Sequence, residues 1–156
     1  MSITRPEPDP PSSVLFCCDY NAVRSPMAEG LLKKRVGQSI YVQSAGVKHD
    51  LEIDGFSIAV CAELDIELSR HRVRTIDEMV EWGDDISSFD LIIALSPASQ
   101  RQALEMTRYY ALTVEYWPII DPTGLGETRP EKLASYRMAR DQIAAKIEER
   151  FGAVST

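Results

Sequence analysis

The feature that most constrains the fold is a succession of short runs too apolar to lie on a surface, each followed by a stretch with helical spacing. "SVLFCC" (13–18) is apolar at every position after the first and suits a strand buried on both faces. "SIYVQS" (39–44), "FDLIIALS" (89–96) and "LTVEYWPI" (112–119) read as further strands, with Pro118 expected to end pairing in the last. Helical patterns occupy "SPMAEGLLKKRVG" (25–37), "GFSIAVCAELDI" (55–66), "TIDEMVEW" (75–82), "PASQRQALEM" (97–106) and "PEKLASYRMARDQIAAKIEERFG" (130–152). Ser25 is expected to cap the first of these, Pro26 to sit in its first turn and Gly37 to end it. Strands alternating with helices imply βαβ units, hence an α/β fold with a mostly parallel sheet covered by helices on both faces. Such sheets bind ligands beyond the carboxyl ends of their strands. Residues 18–25 lie there, between the first strand and the first helix.

The 156 residues suit one domain with a substantial core, here 13–156. Residues 1–12, "MSITRPEPDPPS", hold four prolines and no apolar periodicity, and read as a disordered leader. The formal net charge of −7 argues against nucleic acid or an anionic membrane as partner. An anionic ligand would therefore need a concentrated local site. No apolar run is long enough to span a membrane, and the N-terminus lacks signal-peptide order. Three cysteines, two of them adjacent, do not make a disulfide framework; a cytoplasmic location is expected.

The loop "CDYNAVRS" (18–25) carries the chemistry. A bare Cys-x5-Arg spacing is weak evidence, but a buried strand before it and Ser-Pro with a helix after it sharpen the reading. A tight loop at a helix N-terminus aims backbone N–H groups and the helix dipole at one point. Arg24 adds guanidinium donors matched to a tetrahedral oxyanion. These surroundings favour the thiolate form of Cys18, a nucleophile suited to phosphoryl transfer. The leaving oxygen then needs a proton. Asp121, just past the fourth strand on the same sheet edge and stiffened by Pro122, is the candidate acid.

"VLFCCDYNAVRSPMAEG" resembles the signature of low-molecular-weight protein tyrosine phosphatases. The resemblance continues through "QSAG" (43–46), "LDIELSRHRVR" (64–74), "FDLIIALSP" (89–97) and "DP" (121–122), in order and at similar spacing. It implies a four-stranded parallel sheet in a Rossmann-like three-layer sandwich. It also implies a cysteine-dependent phosphatase acting on phosphate monoesters, above all protein phosphotyrosine. Cys18 then matches the nucleophile that forms a phosphocysteine. Arg24 matches the transition-state arginine, and Asp121 the acid that later activates water. Asp19, Tyr20, Asn21, Ala22, Val23, Arg24 and Ser25 match the phosphate-binding loop. Ser25 matches the hydroxyl that bonds the thiolate, and Asn21, Ser44 and His71 a network holding the loop. No metal or organic cofactor is implied. Partners would be a phosphorylated protein or small aryl phosphate, with phosphate or sulfate as product or inhibitor, acting on a monomer or weak dimer. Related proteins run arsenate reduction on the same loop, which requires further thiols. A catalytically weak phosphate-binding module is the third reading.

Several positions depart from that pattern. Asp19 places a carboxylate beside the nucleophile, which opposes a dianion unless it faces solvent. Tyr20 stands where the family prefers glycine; it would be strained at positive φ and could instead wall the pocket. "AGVKHDLEID" (45–54) lacks the family's cleft aromatic, and Thr123 and Gly124 stand where tyrosines are common. Val23 replaces the second loop cysteine. Cys17 and Cys61 are expected to be buried structural thiols. His49 is expected to face solvent, and Arg70, Arg72 and Arg74 to form a solvated ion-pairing face. Tyr109 and Tyr110 are expected to pack at a helix end.

Overall fold

Four parallel strands form one sheet in the order β2-β1-β3-β4. They are β1 (Ser13–Cys18), β2 (Tyr41–Gly46), β3 (Leu91–Ala94) and β4 (Val114–Tyr116). The computed structural model describes residues 11–49 and 52–152. Five α-helices connect and cover the strands: α1 (Arg24–Val36), α2 (Gly55–Ala62), α3 (Ile76–Glu81), α4 (Pro97–Met106) and α5 (Arg129–Phe151). This is the expected α/β sandwich. β1 shows why its sequence is apolar throughout. Val14, Phe16 and Cys18 enter a core shared with α1, α2 and α5. Leu15 and Cys17 enter the opposite core, with Ile76 and Met79 of α3 and Ala103 of α4. Alternation along a strand sends the two adjacent thiols to opposite sheet faces. Among the described residues, no helix is long and apolar enough to cross a membrane.

Element boundaries moved where side chains competed for the backbone. β2 starts two residues late because Gly37 turns at φ 59° and Ser39 bonds back to the Val36 carbonyl. It runs on to Gly46, which pairs with Cys18. β3 is shorter than 89–96 because Asp90 leaves the ladder, its carboxylate accepting from the Ser12 amide at 2.7 Å. The Tyr41 amide also donates to the Ser12 carbonyl, so the ordered sheet edge begins inside the stretch read as a leader; residues 1–10 lie outside the described residues. α2 stops at Ala62 rather than 66 because Asp65 takes the left-handed conformation, φ 61°. β4 ends at Tyr116, before Pro118, yet Trp117 and Ile119 still donate to Ala94 and Leu95. That alignment carries Asp121 beyond the carboxyl edge of the sheet, beside the end of β1. Tyr109 does not pack at the end of α4: it is 76% exposed.

Candidate active site

The turn from β1 into α1 is built on one asparagine. Asn21 is buried at φ 58°, a left-handed conformation that asparagine tolerates better than most residues. Its Nδ2 donates to Ser25 Oγ at 2.8 Å and Ser44 Oγ at 2.9 Å. Its Oδ1 accepts from the Arg74 amide at 3.1 Å, which fixes the orientation of the side-chain amide. His71 Nε2 lies 2.9 Å from the same oxygen and must therefore donate to it. Burial, the largest influence, pushes the His71 imidazolium below its ordinary range; Glu29 and the bond to Asn21 oppose that shift, while Arg74 and Lys33 add to it. Ser44 Oγ in turn donates to Glu29 Oε1 at 2.6 Å. Strain expected at Tyr20 is thus absent, since the positive φ belongs to the next residue.

The loop carbonyls are tied down on the outside. Val47, Lys48 and Asp54 donate their amides to the carbonyls of Asp19, Asp19 and Ala22 at 3.0, 2.9 and 3.0 Å. Among the described residues, the amides of Asp19 to Val23 find no acceptor. Unengaged amides of this kind are what an anion would satisfy. Ser25 does not cap α1. Val23 holds the cap position without a side-chain bond. Ser25 instead turns to the thiol: its amide donates to Cys18 Sγ at 3.3 Å and its Oγ lies 2.9 Å away.

Arg24 is buried, and its Nη1 donates to the Ile119 carbonyl at 3.0 Å. One arm of the fork is therefore held by the β4 tail, and Nη2 faces two carboxylates. Asp19 Oδ2 lies 3.4 Å from it and Asp121 Oδ2 3.9 Å. Asp19 thus turns toward the guanidinium rather than to solvent, and its Oδ1 is buried with no partner among the described residues. Asp121 Oδ1 accepts from the Thr123 amide at 3.1 Å and its hydroxyl at 2.8 Å. A cavity of about 220 Å³ is lined by Cys18, most of the loop to Arg24, Asp54, Asp121 and Thr123. Tyr20 is its one aromatic among the described lining residues and stands 47% exposed at its edge.

The structure therefore brings Cys18, Arg24, Ser25, Asn21, Ser44 and His71 into one connected unit, with Asp121 across the cavity. His49 is exposed and lies 3.6 Å from Glu78, away from the cavity. Cys17 is fully buried, and that burial, then the neighbouring Cys18, drives its thiol strongly toward the protonated form. Burial is also the largest influence on Cys61, pushing it up to about 11, with Glu63 adding and Arg140 opposing.

Sequence reasoning missed three residues. Asp54 caps α2, accepting from the Phe56 and Ser57 amides, and takes the Tyr136 hydroxyl at 3.0 Å, while also lining the cavity. An Asp-Gly step before a helical run is a cap signal that could have found it. Glu29 closes the Asn21–Ser44 chain. Gly46 is the third: a Cβ there would lie 2.7 Å from Asn21 N and 2.7 Å from Tyr20 C. Both are backbone atoms that cannot rotate away. Gly46→Ala is expected to cost about 1–3 kcal/mol, read as a lowered thermal midpoint; a variant as stable as the parent would contradict the close approach.

The family model described as low molecular weight phosphotyrosine protein phosphatase matches residues 13–154. An arsenate reductase of Bacillus licheniformis is 31% identical over 137 residues, covering 87% of this chain and 92% of the relative. A solved structure described as an arsenate reductase in oxidized state is 25% identical, with a TM-score of 0.73 over 92% of this chain and 99% of that one. The YwlE arginine phosphatase from Geobacillus stearothermophilus is 26% identical, with a TM-score of 0.66 over 90% of each chain.

Proposed function

The chain belongs to the low molecular weight phosphotyrosine protein phosphatase family, and from that premise we propose that it hydrolyses phosphate monoesters through a phosphocysteine on Cys18. The observation that carries this reading is Ser25 against Cys18 Sγ, its amide donating at 3.3 Å and its hydroxyl 2.9 Å away, beneath a loop of unengaged amides. Donors to sulfur stabilise the thiolate. The amides and Arg24 Nη2 accept the equatorial oxygens of the phosphoryl group. The thiolate attacks phosphorus, and the bond to the ester oxygen breaks. The electron pair leaves on that oxygen, which takes a proton from Asp121. Thr123 engages Asp121 Oδ1, and Oδ2, 3.9 Å from Arg24 Nη2, is the oxygen that carries that proton. In the second step Asp121 takes a proton from water. The resulting hydroxide displaces sulfur, giving orthophosphate and restoring the thiolate. Tyr20 at the cavity edge and the family membership support an aryl phosphate as substrate, including phosphotyrosine on protein.

A second reading, arsenate reduction, draws support from the arsenate reductase names of the relatives. Reducing As(V) to As(III) takes two electrons. Cys18 can form the sulfur–arsenic bond, but a second thiol must attack that sulfur to release arsenite and leave a disulfide. Cys17 points to the other sheet face, and Cys61 is buried with its thiol held protonated. The second thiol would have to come from a dissolved thiol or a dithiol protein. On this geometry the phosphatase reading leads, whereas the names of the relatives favour arsenate reduction.

The test is p-nitrophenyl phosphate turnover alongside arsenate-dependent NADPH oxidation coupled through thioredoxin. Aryl phosphate turnover without arsenate reduction supports the first reading, and the reverse supports the second. Orthophosphate binding with neither activity would leave only a phosphate-binding module.

Asp19 handicaps anion binding here, because its carboxylate lies 3.4 Å from the guanidinium that an oxyanion needs. A unit charge at about 4 Å is worth about 1–4 kcal/mol between water-like and protein-surface dielectrics. Asp19→Asn should therefore tighten competitive inhibition by orthophosphate on the order of tenfold. An unchanged inhibition constant would mean that Asp19 swings clear when the anion enters.

A further inference from the structure

A second and larger cavity, about 350 Å³, lies behind the loop between α1 and the segment 67–74. Its charged lining is Lys33, Arg70, Arg72 and Arg74 against Glu29 and Glu67. Glu29 is paired with a cation, while Glu67 keeps its charge in reach of Arg70. Glu29 holds Lys33 at 2.5 Å and accepts from Ser44. Glu67 folds back on the Ser69 amide at 2.9 Å. Among the described residues, none of the three arginines forms an ion pair. Arg74 donates instead to the Ser44 carbonyl and to Gln43, both neutral acceptors. Of the solvated ion-pairing face expected from sequence, the solvation holds for Arg70 and Arg72, while none of the three forms an ion pair within 4 Å among the described residues. Three guanidiniums thus line one concavity of a chain whose net charge is −7, with Glu67 as the one carboxylate there not paired to a lysine.

We infer that this cavity is a binding site for a compact polyanion of the diphosphate class, separate from the Cys18 site. Converged like charges repel one another unless an anion lies between them, and guanidinium forks match phosphoryl oxygens in pairs. Glu67 lowers the net charge that the three guanidiniums offer to about +2, but their forks present more paired donors than one phosphoryl group can occupy, and a diphosphate brings a second phosphoryl group to the same cavity. The two cavities share no lining residue. They are nonetheless joined, because His71 and the Arg74 amide both donate to Asn21 Oδ1 at the base of the nucleophile loop. The diphosphate could be free pyrophosphate or the terminal groups of a nucleotide.

Calorimetric titration with pyrophosphate, and separately with ADP, tests the site on three full-length proteins: the parent, Arg24→Ala, and the double variant Arg70→Ala/Arg72→Ala. Arg70 and Arg72 are exposed and make no recorded hydrogen bond among the described residues, so the double variant should keep the parent's thermal midpoint. Pyrophosphate should bind the parent, survive Arg24→Ala, and weaken about tenfold or more in the double variant. ADP binding with the same pattern assigns the nucleotide form, and ADP failing while pyrophosphate binds assigns the free anion. Absence of pyrophosphate binding to the parent overturns the site. So does loss of binding in Arg24→Ala, or undiminished binding in the double variant. None of these outcomes depends on phosphatase turnover, so this site and the proposed reaction fail separately.

Discussion

Cys18→Ser is expected to lower aryl phosphate turnover on the order of 10⁴-fold or more while leaving the protein folded. The substitution is nearly isosteric. The serine hydroxyl can still accept the Ser25 amide, and the cradle of amides and Arg24 stays in place. What disappears is a soft sulfur nucleophile; an alcohol in the same position attacks phosphorus poorly. Orthophosphate binding should persist, since its donors are untouched. Steady-state kinetics, thermal unfolding and a phosphate titration on one preparation separate the effects. Turnover within tenfold of the parent would place the nucleophile elsewhere.

Asp121→Asn is expected to cost about 10²–10⁴-fold in kcat, and the loss should depend on the leaving group. Asparagine keeps an Oδ1 acceptor for both Thr123 donors, so the side chain stays in place. It removes the proton. Phenyl phosphate, whose phenoxide is a poor leaving group, should suffer most. p-Nitrophenyl phosphate, whose phenolate leaves readily, should suffer less in the first step. Equal losses in kcat/KM on both substrates, a parameter that reports only the first step, would mean that Asp121 acts there only by charge on Arg24, from which it stands 3.9 Å away.

Much of this was legible because strict physical demands left few alternatives. A run such as "SVLFCC" has no polar face, so it can lie only in the middle of a covered sheet; β1 indeed has two neighbours and two cores. The order of residues 18 to 25 follows from the same logic: an anion site at a sheet edge needs a loop, free amides and a cation. Other features depend on partners distant in sequence. Ser25 looks like a cap until Cys18 is 2.9 Å away. Gly46 looks like a strand end until the backbone of Asn21 lies against it. Asp19 could face either way from the sequence, and only its 3.4 Å approach to Arg24 decides the matter. The arginines at 70, 72 and 74 are a basic cluster in the sequence, and only the fold shows that they line one cavity.

The most direct measurement is acid quench during turnover of an aryl phosphate, followed by mass spectrometry of the peptide that carries Cys18. A phosphoryl group on the Cys18 sulfur, present within the first turnover and absent from Cys18→Ser, is the expected result. Steady product release with that peptide never modified, or with the phosphoryl group on another residue, would contradict it.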